Sequence, residues 1–199
     1  LVQKEHTKNE DAALCEMAGR SAIPEPVILL ADRGYEAYNS FARLEQRGWK
    51  YLIRLKDRNR TYAYGITLPD QPEFDFPVRV TLGRLTVRQL ERRGIPVPEA
   101  YCRLPNQVPF DDLEPSSAGF YLFSARIVRL LLHDGSTETL ITNLDPDQFP
   151  PDVLRSLYAR RWGIETSFRQ LKYTVGMVHL HSKRPELILQ EIMSAFIIF

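Results

Sequence analysis

Val27-Ile28-Leu29-Leu30-Ala31-Asp32-Arg33-Gly34-Tyr35 runs five apolar residues straight into an acid, a cation, a glycine and an aromatic ring. A continuous apolar run this short, set off by Pro24 and Pro26, reads as a strand buried on both faces, and Asp32-Arg33-Gly34 ends it. Residues 35–47 then carry Tyr35, Tyr38, Phe41, Ala42 and Leu44 at helical spacing, with Gly48 as the stop, and residues 49–55 form a second strand. Two strands joined through a helix imply a parallel pair, hence an α/β sheet. Upstream, residues 9–20 have the apolar spacing of a helix, with Asn9 or Asp11 near its cap.

After Lys56 the character changes. Prolines recur at 69, 72, 77, 96, 98, 105, 109 and 115, which excludes long helices and favours short extended segments. Residues 78–87 alternate in parts, residues 120–132 read as a long strand, and His133-Asp134-Gly135-Ser136 is a hairpin turn into Thr139-Leu140-Ile141-Thr142. The organisation is therefore an α/β core in residues 1–58, a β-rich insertion in 59–149, and a return to the core in 150–199. A loop from Asp145 leads to Pro151, well placed in the first turn of a helix.

That helix, residues 154–172, carries the densest chemistry. At about 100° per residue, Tyr158, Arg161, Glu165 and Lys172 fall within a sector of about 60°. Val153, Leu157, Ile164, Phe168 and Leu171 fall beside them at roughly 220 to 280° and read as the buried face. From 154 to 184 there are seven Lys or Arg against a single acid, Glu165, although the whole chain has a net charge of only +1. A basic zone of this kind suits a polyanion, or is simply a solvated basic helix. Asp32 lies at a strand end, where open α/β sheets place their working residues, and it also suits a cap for a helix starting at Tyr35. Glu165 is a candidate metal ligand or one half of an i to i+4 ion pair with Arg161 or Arg169, a pairing that contributes only about 0.3 to 0.5 kcal/mol. Tyr158, Trp162 and Lys172 likewise have ordinary readings as core edge, packing and solvated charge. Hard carboxylate oxygens are what Mg²⁺ takes, and Arg or Lys beside them hold phosphates.

Composition narrows the field. With 44% hydrophobic residues the 199-residue chain is too apolar to be disordered. Cys15 and Cys102 form no CxxC and sit near no His cluster, so neither a disulfide framework nor a zinc site is indicated, and the cytoplasm is the default compartment. The apolar tail from Glu186 to Phe199 is shorter than the about 20 residues that span a bilayer and reads as a core helix, with no membrane partner.

The spacing Tyr158-x2-Arg161-x3-Glu165-x6-Lys172 resembles, residue for residue, the Tyr-Arg-Glu-Lys signature of DDE-type bacterial insertion-sequence transposases. Asp32-Arg33-Gly34-Tyr35 resembles that family's second catalytic Asp motif, and Ile141-Thr142-Asn143-Leu144 its strand end before the signature helix. The resemblance implies an RNase H-like fold, as in retroviral integrases, and Mg²⁺-dependent cleavage and strand transfer at transposon ends, with Mn²⁺ as a possible substitute. It implies that Asp32 and Glu165 are two of three metal-holding carboxylates and that Tyr158, Arg161 and Lys172 contact backbone phosphates. Trp162, beside Arg161, is placed to stack on a distorted or flipped base. The implied partners are double-stranded DNA and a second copy in a synaptic homodimer, on the bacterial nucleoid. The family's first catalytic Asp lies on an earlier strand, and no apolar strand precedes Asn9; Asp11 reads as a cap. The expectation is a chain clipped at both ends that by itself neither cleaves nor joins DNA. The alternative is a non-catalytic DNA-binding or dimerising remnant, or an inhibitor of the full-length enzyme.

Overall fold

The computed structural model describes residues 10–56, 61–62, 66–173 and 181–198. Asn9, Asn59, Phe199 and the side chain of Leu171 lie outside the described residues. The chain forms two compact units, Leu1–Leu154 and Arg155–Phe199.

The first unit is built on a six-stranded mixed sheet. It opens with α1 (Glu10–Arg20), β1 (Ile28–Ala31), α2 (Tyr38–Gln46) and β2 (Lys50–Arg54), and β1 pairs parallel with β2 as the strand, helix, strand order predicts. A small ladder of β3 (Thr61–Tyr62) and β4 (Ile66–Thr67) follows, then β5 (Phe74–Gly83), α3 (Val87–Arg92), β6 (Tyr101–Arg103), β7 (Phe120–Leu131) and β8 (Thr137–Thr142). Strand order is β1-β2-β8-β7-β5-β6, so β5 to β8 of the β-rich segment join the same sheet as the parallel pair, while β3 and β4 pair only with each other among the described residues. The turn between β7 and β8 is the expected one: Gly135 has φ +79°, and the Asp134 carboxylate accepts from the Ser136 amide at 2.9 Å.

Side-chain alternation divides the sheet into two faces. The inner face, with α1 and α2, holds the core: Phe41 stacks on Tyr51 at 5.1 Å and on Phe123 at 5.7 Å, and Tyr38 meets Phe123 edge-on at 4.8 Å. Gly48 ends α2 as expected, at φ +77°, with its amide on the Glu45 carbonyl and that of Trp49 on Leu44, a Schellman closure. The loop after β6 is pinned by Arg84, 3% exposed, which donates to the carbonyls of Pro105, Val108, Phe110 and Leu113. Arg43 of α2 holds the same loop through Asp111 at 2.6 Å.

Three expectations are corrected. β1 is not buried on both faces: Ile28, Leu29 and Leu30 are only half-buried, because β1 is the edge of the sheet among the described residues. Residues 154–172 are not one helix but α4 (Pro151–Ala159), which does begin at Pro151, and α5 (Trp162–Tyr173). Between them the amides of Arg160, Arg161, Gly163 and Ile164 all bond three residues back, a tight turn that resets the helical phase. Most of the predicted buried face is open: Val153 is 42% exposed, Ile164 52% and Phe168 55%, with Leu157 half-buried, while Leu154 and Tyr158 are the buried ones. α6 (Pro185–Ile198) is not a core helix either, with Leu187, Leu189, Met193 and Ile197 all exposed. No described helix is long and apolar enough to cross a membrane.

Candidate functional site

Asp32 follows the last residue of β1, in the sheet unit, at the strand end where the sequence predicts it. It does not cap α2. That helix starts at Tyr38 with Ala37 as its N-cap and no side-chain cap bond, whereas the Asp32 carboxylate accepts from the Arg33 amide at 2.8 Å. Gly34, at φ +120°, adopts a conformation that L side chains rarely take, so the turn after Asp32 depends on it. Nearby, Glu36 accepts from the Lys56 amide at 2.6 Å and pairs with its ammonium at 3.4 Å, tying the segment after β1 to the end of β2. Asp11 is engaged with α2: it accepts from the Ser40 hydroxyl at 3.1 Å, and burial pushes its carboxyl above the usual range.

The signature residues lie in the second unit. Tyr158, near the end of α4, is 2% exposed, and Arg161 in the turn is 8% exposed. The Arg161 guanidinium donates to Glu165 at 2.7 Å and lies 5.6 Å from the Tyr158 ring and 5.0 Å from the Trp162 ring. The ion-pair reading of Glu165 is thus the arrangement present, and its partner is Arg161. Trp162 is 57% exposed, an accessible ring beside that cation. Although the helix breaks, the stripe survives on α5, where a recess of about 550 Å³ is lined by Glu165, Phe168, Arg169, Lys172 and Tyr173.

Arg169 is the residue that sequence reasoning passed over, having considered it only as a partner for Glu165. With Glu165 held by Arg161, Arg169 remains on the recess beside Lys172, and its i+4 spacing from Glu165 was the available signal. Chemically, Asp32 and Glu165 offer hard carboxylate oxygens of the kind Mg²⁺ takes, and the Glu165 side chain, 49% exposed, is accessible. Among the described residues no three His, Cys, Asp or Glu side chains form a group that could hold a metal ion.

The chain matches the family described as Transposase DDE domain over residues 4–199 and belongs to that family. It is a family of DNA-transposition enzymes that typically use divalent metal, and the mixed α/β sheet with its helices fits such a domain. A comparison with curated proteins returns no match.

Proposed function

We propose that this chain is part of an insertion-sequence transposase whose reaction is metal-dependent cleavage and strand transfer at transposon ends. In this reading residues 1–58 and 150–199 belong to an RNase H-like core and residues 59–149 to a β-rich insertion that prolongs the sheet. Asp32 and Glu165 would hold Mg²⁺ through carboxylate oxygens, and the bound metal would supply activation of the attacking oxygen and stabilisation of the leaving one. Arg161 and Lys172 hold backbone phosphates, with Arg169 added to them, and Trp162 offers a ring for base stacking. Tyr158, buried under the Arg161 guanidinium, positions that cation beside Glu165. Double-stranded DNA is the substrate, and the working assembly is a synaptic homodimer on the nucleoid.

The observation that best supports this reading is the α5 recess, where one carboxylate shares a helix side with two cations. Its test is direct. Mn²⁺ binding followed by electron paramagnetic resonance should weaken at least tenfold in Asp32→Asn and in Glu165→Gln. Duplex binding should lose about two from the magnitude of its salt slope in Arg161→Ala/Lys172→Ala, since each phosphate contact contributes about 0.9. Unchanged Mn²⁺ affinity in both carboxylate variants would remove the metal role.

A further inference from the structure

The outer face of the sheet differs along its length. Toward β2, β8 and the end of β7 it is buried, with Leu52, Val128 and Leu140 at 0% exposure. Toward β5, β6 and the start of β7 it is open, with Leu122 67% and Phe120 39% exposed. The register places the residues of this open part: Arg79 opposite Ser124, Thr81 between Tyr101 and Leu122, and Gly83 between Arg103 and Phe120.

Gly83 makes room for an aromatic ring on this face. A Cβ at Gly83 would lie 2.7 Å from the Tyr101 ring, so the glycine lets Tyr101 lie across β5, where it meets Phe120 edge-on at 6.0 Å and donates to the Leu85 carbonyl. Two of its cations are unpaired: Arg79 and Arg103 are exposed and neither forms an ion pair among the described residues, Arg103 bonding only the Arg84 carbonyl at 3.4 Å. The one carboxylate that these strands direct to this side, Asp75, is already ion-paired to the buried Arg126. The loop acids Asp111 and Asp112 are engaged with Arg43 and Gln46 of α2. A cavity of about 530 Å³ adjoins the patch, lined by Arg79, Arg126, Ser124 and Asn143 together with the carboxylates of Asp75 and Asp145.

We propose that the outer face of β5, β6 and β7, centred on Arg79, Arg103 and Leu122, docks the sugar-phosphate backbone of duplex DNA. The inference rests on the proposed transposase reading, which supplies DNA as the polyanion, and adds a contact surface separate from the signature residues. Arginine forks suit phosphate oxygens, and the Thr81 and Ser124 hydroxyls add donors on the same side. Arg103 lies beside Gly83, four residues along β5 from Arg79, a span of about 13 Å. A protein partner would find Leu122, Phe120 and the edge of the Tyr101 ring as apolar anchors, with two cations to desolvate.

The experiment is duplex binding by the full chain, followed by fluorescence anisotropy of a labelled oligonucleotide across a salt series. Arg79→Ala/Arg103→Ala should reduce the magnitude of the slope of log K against log salt by about two, with at least a tenfold loss of affinity at 0.1 M salt. Leu122→Asp, which sets a carboxylate in the middle of an exposed patch, should weaken binding at least as much, and the urea midpoint of both should stay at that of the parent. Loss of slope in Arg161→Ala/Lys172→Ala but not in the sheet variants overturns this inference and leaves the signature roles standing. Absence of duplex binding by the parent chain overturns both. A change of oligomeric state by light scattering in Leu122→Asp, with DNA affinity intact, overturns the inference in favour of a protein interface.

Discussion

Phe41 in the sheet unit is fully buried between Tyr51 and Phe123, whereas Phe168 in the helical unit is 55% exposed on the same recess as Glu165 and Lys172. Both sit on amphipathic helices of similar length, α2 and α5. The difference teaches that an apolar stripe predicts a face, while only a neighbouring surface of matching shape buries it. The sheet unit closes on its own side chains. The helical unit keeps Glu165, Arg169, Lys172 and the Phe168 ring accessible.

That comparison breaks or sharpens with stability measurements on the full chain. Phe41→Ala should lower unfolding free energy by about 3 to 5 kcal/mol in urea titrations, through lost contacts and a cavity between two rings. Phe168→Ala should change it by no more than about 0.5 kcal/mol, and a loss above about 2 would show that this face is covered in solution.

Arg84 comes next. Its guanidinium serves four carbonyls, and burial lowers its pKa from the usual value against the charge of Glu114. Arg84→Ala should cost about 2 to 4 kcal/mol by leaving buried carbonyls unsatisfied. Arg84→Lys should recover only part, since an ammonium lacks the planar fork.

The smallest effect is at Asp111. Hydrogen bonds from Arg43 and Asn39 lower its carboxyl below the usual 3.8, so its contribution is present above that pH and fades as acid protonates the folded state. Because the Arg43 and Asp111 side chains are 40% and 49% exposed, solvent screens the pair, and Asp111→Asn should cost at most about 0.5 kcal/mol at pH 7. Glu45 has the opposite sign: burial raises its carboxyl from the usual 4.5 against the bond from Tyr51, so its ionised form is a liability that eases as pH falls toward that value. Glu45→Gln should therefore gain stability at pH 7 and little near pH 4, read from urea midpoints at the two pH values.

Much of the fold was legible because the signals were local. The run from Val27 to Asp32, the helical spacing to Gly48, the Asp134-Gly135 turn and Pro151 each act within a few residues, and each element formed there, α2 starting at Tyr38 instead of Tyr35. The short helix α3 was equally legible and went unread: Thr86 and Gln89 form a capping box and Gly94 closes its end. The break after Ala159 was not legible, since nothing in Ala159-Arg160-Arg161-Trp162 forbids a continuous helix.

For this protein the sequence by itself determined which chemistry is available: an acid closing an apolar strand, a second acid among cations on a helix, and a spacing that resembles a transposase signature. Tertiary structure alone decided which of those groups are already engaged. Spacing allowed Glu165 either Arg161 or Arg169, and in the folded chain Arg161 takes it at 2.7 Å while Arg169 stays on the recess. Arg79 and Arg103 share a surface because pairing across β5, β6 and β7 sets residues far apart in the chain on one side of a pleated sheet. Periodicity specifies a direction along one element, and only the partner element specifies what lies there.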